Sequence, residues 1–248
     1  MRLLALESSG LVASAAILTE EKLICEYTVN HKKTHSQTLL PMVDEIVRMT
    51  KQDLNDLDAI AVASGPGSFT GLRIGSATAK GLGLALDKPL VSVPTLEGLA
   101  YNLYGSENLL CPMMDARRNQ VYTGIYSWED ETFTVLYDQT ACPVEDVLKE
   151  CIRLAEQTGK KIIFLGDGVP VYEDMIRESM EQSDCPYSFA PAHMNRQRAG
   201  AVGLRGLELF KAGHTETAAE HAPVYLRKSQ AERELMKKKS LQNKAGEE

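Results

Sequence analysis

Apolar positions fall into short strand-like runs separated by longer stretches of helical period. Leu3–Glu7, Val12–Leu18 and Leu23–Val29 read as three strands. Ser8-Ser9-Gly10 breaks the first, and the polar turn Thr19-Glu20-Glu21 joins the other two. Thr34-His-Ser-Gln37 matches a capping box and predicts a helix to about Met49. Leu39, Val43, Ile46 and Val47 form its apolar stripe, and Leu40 and Met42 widen it beyond what one sheet face needs. Pro41 removes one ladder bond and predicts a bend near residues 37–41. Ala59–Ser64 suits a strand buried on both faces, broken by Gly65-Pro66-Gly67. Ser68 or Thr70 then caps a helix to Leu86, followed by a strand Leu90–Val93 and a helix from about Thr95 to Tyr104.

The pattern restarts with strands Asn108–Met114, Gln120–Tyr126 and Thr132–Tyr137 and a helix Val144–Glu156 stopped by Gly159. A strand Ile162–Leu165, a helix around Val171–Met180 and a last helix from about Arg196 to Lys211 complete it. The order βββα thus occurs twice without sequence repetition, predicting a two-lobed α/β protein. The first lobe spans residues 1–105. The second spans 106–227, with its last helix (196–211) placed to pack back on the first lobe. Residues 228–248 are charged, lack an apolar period and read as a mobile tail or a solvated helix.

One helix departs from ordinary composition. Gly71, Gly75, Ala79 and Gly83 recur every four residues and form a stripe without side chains. Each glycine costs roughly 1 kcal/mol against alanine, so close packing must offset the loss. The stripe admits another backbone, either the helix's own sheet or a partner subunit.

Bulk composition narrows the function classes. The 248 residues carry a net charge of −7, with 44% hydrophobic and 25% charged residues. That is an ordinary globular composition, and its acidity disfavours unaided nucleic-acid binding. Five scattered cysteines, none in C-x-x-C spacing, read as reduced thiols. No basic and apolar leader and no apolar run of membrane length is present, which predicts a soluble, cytoplasmic protein.

Candidate chemistry is sparse. Gly65-x-Gly67 between strand and helix could cradle a phosphate. It lacks the Gly-Lys-Ser/Thr of a P-loop, and Gly71 falls one position late for a dinucleotide fingerprint, so a structural turn is favoured. His31 and His35 lie four apart, but the predicted cap at Thr34 leaves His31 outside the helix, and a surface pair is favoured over a metal site. His193, His214 and His221 stand alone as surface or satisfied histidines. Asp115-Ala-Arg-Arg118 could face a ligand between the lobes, and a charged hairpin turn is the simpler reading. Glu7-Ser8-Ser9 sits where a doubled βββα nucleotide-binding fold would place its phosphate turn, with Glu7 as the carboxylate for a hydrated magnesium. No nucleophile triad and no base-stacking aromatic strip can be assembled.

Ser64-Gly-Pro-Gly-Ser-Phe-Thr-Gly-Leu-Arg-Ile-Gly75 resembles the signature of the TsaB (YeaZ) family. Leu4-Ala-Leu-Glu-Ser-Ser9, His35-Ser-Gln-Thr-Leu-Leu-Pro41, Val93-Pro-Thr-Leu-Glu-Gly-Leu-Ala100 and Met114-Asp-Ala-Arg117 support it. The resemblance covers residues 1 to about 125 closely and the remainder in element order. It implies an actin-like ATPase (sugar kinase/Hsp70) fold and a role in making N6-threonylcarbamoyladenosine at position 37 of tRNAs reading codons that begin with A. In that family TsaB is a supporting subunit of its catalytic paralogue TsaD, alongside the ATPase TsaE. Gly65, Pro66, Gly67, Ser68, Thr70, Gly71 and Arg73 would be a structural signature loop, and Glu7, Ser8 and Ser9 a vestigial nucleotide site. TsaD carries a metal-binding His-x-x-x-His where this chain has Thr95-Leu-Glu-Gly-Leu99, so the resemblance implies no transferase metal and no catalytic residue here. Glu7 replaces the usual aspartate, which also disfavours ATP as a cofactor.

The family uses its first two helices for dimerisation. Leu39, Leu40, Val43, Ile46, Val47, Leu72, Gly75 and Ala79 would then form one surface for a homodimer or, alternatively, for TsaD. tRNA would be met only through the complex. The rival readings are an ATP-dependent small-molecule kinase or transferase of the same fold and, behind it, a metallopeptidase.

Overall fold

A computed structural model describes residues 1–31 and 34–227, which build two five-stranded sheets. In the first half, β1 (Arg2–Glu7), β2 (Ala13–Thr19) and β3 (Leu23–Val29) are followed by α1 (His35–Thr50), β4 (Ala59–Gly65), α2 (Phe69–Leu86), β5 (Leu90–Pro94) and the short α3 (Thr95–Ala100). The second half contains β6 (Leu109–Asp115), β7 (Gln120–Glu129), β8 (Thr132–Pro143), α4 (Val144–Thr158), β9 (Ile162–Leu165), α5 (Glu173–Gln182), β10 (Tyr187–Phe189) and α6 (Ala199–Lys211).

Strand order is β3-β2-β1-β4-β5 in one sheet and β8-β7-β6-β9-β10 in the other. Each sheet has an antiparallel three-stranded half continued by two parallel strands. This doubled order repeats the βββα pattern read along the chain and is the actin-like ATPase fold that the family resemblance implies.

The apolar runs of β1 and β4 are continuous because both faces of the first sheet are covered. Leu4, Leu6, Ile60 and Val62 face α1 and α2, meeting Leu39, Met42, Val43, Ile46 and Ala79. The alternate residues Leu3, Ala5, Ala59 and Ala61 face α6, meeting Ala199, Val202 and Leu207. The last helix of the second half therefore completes the core of the first. In the second sheet, Leu109, Cys111, Val121 and Phe164 pack under α4 and α5. Its opposite face joins α3 through Leu110, Met114, Tyr126 and Trp128 against Leu96, Leu99 and Tyr101.

Several boundaries differ from expectation. Thr34 is the N-cap of α1 but makes no side-chain cap bond, so the capping box does not close; the Gln37 N–H bonds the Thr34 carbonyl instead. α1 runs continuously through Pro41. Ser68, not Thr70, caps α2, accepting from the Gly71 N–H at 3.3 Å. β7 and β8 extend into a long hairpin, and α6 starts at Ala199 rather than Arg196. β10, three residues long, had too little pattern to be read. The charged tail lies outside the described residues.

Candidate functional site: the interlobe cleft and the outer face of the first two helices

The β1–β2 turn and the start of α2 are locked together. Ser8 Oγ donates to the Gly71 carbonyl at 2.9 Å, and the Ser68 N–H donates to the Ser9 carbonyl at 2.6 Å. A Cβ on Gly71 would overlap the Ser8 carbonyl oxygen, and one on Gly75 would press on Ser8 Oγ. The bare stripe of α2 therefore admits the chain's own first turn. Gly65-Pro66-Gly67 is a structural turn of the same assembly, because a Cβ on Gly67 would overlap the Ser9 carbonyl.

Between the lobes lies a cavity of about 570 Å³, bordered by Ser9, Gly67 and Phe69 on one wall and Asp115, Arg117 and Asp167 on the other. Glu7 lies behind this turn with no exposed surface. Its Oε1 accepts from the Ser9 N–H at 2.5 Å and from Ser9 Oγ at 2.6 Å, while Oε2 is buried without a partner. Burial pushes the Glu7 carboxyl up to about 7; the Ser9 bonds oppose the shift and the nearby Asp167 charge adds to it. Burial also raises Asp167, against the 3.2 Å bond from the Asp115 N–H and the charge of Arg196. The donors of the first turn are thus aimed at the chain's own carboxylate, and a fully buried Glu7 does not fit a hydrated magnesium.

Asp115-Ala-Arg-Arg118 forms the charged β6–β7 turn and also borders the cleft. Arg117, Arg118 and Asn119 all have positive φ, and Asp115 Oδ1 accepts from the Arg117 N–H at 2.7 Å. His31 is exposed, whereas His35 is half-buried with Nε2 2.9 Å from the Gly10 carbonyl. His221 is buried, which no local pattern announced. Its Nδ1 lies 2.8 Å from Glu216 Oε1 and 3.0 Å from Ser92 Oγ, and Ser92 itself bonds Glu216.

At the segment compared with a metal-binding His-x-x-x-His, Thr95 is buried and accepts from the Gly65 N–H at 3.1 Å. Leu99 is core, and Glu97 pairs with Arg205 of α6 at 2.7 Å. Arg205 also bonds Glu208 at 3.0 Å and lies over the Phe133 ring.

The eight residues expected on a partner surface divide sharply. Leu39, Val43, Ile46, Leu72, Gly75 and Ala79 are buried within the chain, so their side chains support the sheet and the first turn. Only Leu40, 53% exposed, and the half-buried Val47 reach the outside. With Pro41, Asp44, Leu54 and Leu82 they border an apolar groove of about 500 Å³. Periodicity could not separate the inner from the outer edge of a wide stripe.

A family profile described as "TsaD: tRNA N6-adenosine threonylcarbamoyltransferase" matches residues 22–235. The tRNA threonylcarbamoyladenosine biosynthesis protein TsaB of Bacillus subtilis is 32% identical over 94% of this chain and 96% of its own length. The chain belongs to the TsaB family. The TsaB of Escherichia coli is 29% identical over 95% of this chain and 98% of its own length. The solved YeaZ of Pseudomonas aeruginosa superposes with a TM-score of 0.75 at 29% identity, covering 91% of this chain and 99% of that one. The TsaD profile on a TsaB chain reflects the paralogy implied by the glycine signature. As a TsaB, the chain is a tRNA threonylcarbamoyladenosine biosynthesis protein. Among the described residues, no helix is long and apolar enough to cross a membrane.

Proposed function

We propose that this TsaB is a cytoplasmic, non-catalytic supporting subunit. In this reading it pairs with a TsaD transferase, which moves threonylcarbamoyl from threonylcarbamoyl-AMP to N6 of adenosine 37. TsaE joins the assembly, tRNA is met only through it, and the free chain forms a homodimer. The observation that carries the reading is α3: the place of a metal-binding His-x-x-x-His is filled by a buried threonine, a core leucine and a Glu97–Arg205 ion pair. The internally satisfied Ser9 turn supports a second part, that the chain uses no ATP cofactor.

The proposed docking face is the outer groove of α1 and α2 around Leu40, Val47 and Leu82, in place of the buried positions behind it. Light scattering of this chain, TsaD and their mixture tests the reading. A one-to-one complex is expected, lost in Leu40→Glu and kept in the second-lobe control Val135→Glu. No complex at tens of micromolar, or a complex indifferent to Leu40→Glu, refutes it. Micromolar ATP binding by the isolated chain would favour the kinase reading.

A further inference from the structure

The chain leaves α6 by crossing the first lobe and then the mouth of the cleft. Glu216 pairs with Leu90 in a backbone bridge, and Lys80 Nζ donates to the His221 carbonyl at 2.9 Å, fixing this segment to β5 and α2. Beyond that anchor the Val224 N–H donates to the Ser64 carbonyl at 2.7 Å. Gly65 has φ +123°, and a Cβ there would overlap the Val224 carbonyl, so the close approach requires glycine. The Tyr225 ring stacks on Phe69 at 4.3 Å, while Arg73 lies 4.2 Å over Phe69 and reaches the Tyr225 hydroxyl at 3.4 Å. Two residues later Arg227 Nη1 donates to the Ala116 carbonyl, in the β6–β7 turn of the other lobe, at 2.7 Å.

We infer that Val224–Arg227 is an intramolecular ligand of the interlobe cleft, bridging its two walls and setting its aperture. Val224 and Tyr225 hold the α2 wall; Arg227 holds the second-lobe wall. Elsewhere the lobes meet at the apolar cluster of α3, β6 and β7, at Arg205 over the Phe133 ring and through Asn102 Nδ2, which donates to the Met194 and Arg196 carbonyls, so the cleft widens about these contacts once the bridge is cut. The inference stands on contacts independent of the α1–α2 groove and of any role with TsaD.

Hydrogen exchange and small-angle scattering on the full chain test it, comparing the native protein with a Tyr225→Ala/Arg227→Ala variant and with Arg227→Lys. Losing one aromatic stack and one charge-assisted bond should speed exchange by about tenfold at Val224, whose N–H is held by the Ser64 carbonyl. The β6–β7 turn, residues 116–120, should accelerate with it, and the radius of gyration should rise. β1 and β9 should keep their protection, and Arg227→Lys should fall between native and double variant. An unchanged pattern, acceleration confined to Val224, or a uniform rise across β1 and β9 overturns the inference.

Discussion

Glu7→Gln isolates the energetic cost of a buried carboxylate that forms no ion pair. The native carboxyl is raised from its ordinary 4.5 to about 7 because it has no exposed surface, and its Ser9 bonds compensate only in part. A carboxyl with a raised folded pKa keeps its proton in the native state over a range where the unfolded chain has already lost it. Stability therefore falls as pH rises from about 4.5 to about 7 and is level above that. At ~1.36 kcal/mol per pH unit the interval is worth about 3 kcal/mol.

Glutamine keeps an acceptor for the Ser9 N–H and hydroxyl and removes the titration. The variant should match the native protein near pH 4.5 and exceed it by about 3 kcal/mol at pH 8. Urea denaturation at half-unit pH steps reads the difference directly. A difference that is flat with pH, or that favours the native protein at pH 8, refutes the reasoning.

Gly71→Ala would drive a Cβ into the Ser8 carbonyl and should cost at least about 3 kcal/mol in urea denaturation, whereas Gly81→Ala, with nothing within 4 Å, should gain about 1 kcal/mol. Arg205→Met strands the half-buried Glu97 and should cost about 2–4 kcal/mol, most of it recovered in the Glu97→Gln/Arg205→Met double variant. Leu40→Glu, exposed in the single chain, should change thermal stability of the monomer by no more than about 0.5 kcal/mol while abolishing the proposed complex, a separation read by calorimetry beside light scattering.

Strand positions were legible because a sheet covered on both faces writes itself as an unbroken apolar run, as in Leu3–Leu6 and Ile60–Val62. The glycine stripe of α2 announced a close approach but not its target. The residue it receives, Ser8, lies 63 positions from Gly71, a separation that no local pattern encodes. The same limit hid the Ser92–Glu216–His221 cluster, where a histidine read as isolated proves to be a buried fastener. Glu7 is legible as a carboxylate at the first turn, but the two Ser9 bonds to its Oε1 depend on which way Ser9 folds back. Periodicity alone does not divide the apolar stripe, because an amphipathic helix uses one continuous set of apolar residues for its own core and another at the edge for the outside, and both share a period.

The return of α6 to the first sheet has a consequence for synthesis on the ribosome. Leu3, Ala5, Ala59 and Ala61 receive their cover only when Ala199–Leu207 has emerged, so most of the chain is made before the N-terminal sheet can close. The α4–α5 face of the intervening β6–β10 sheet can mature first, since the core on that side draws on no later residue. A nascent chain paused before α6 would present an open sheet face to chaperones, and a nonsense codon between β5 and residue 199 would yield an aggregation-prone fragment rather than a working half.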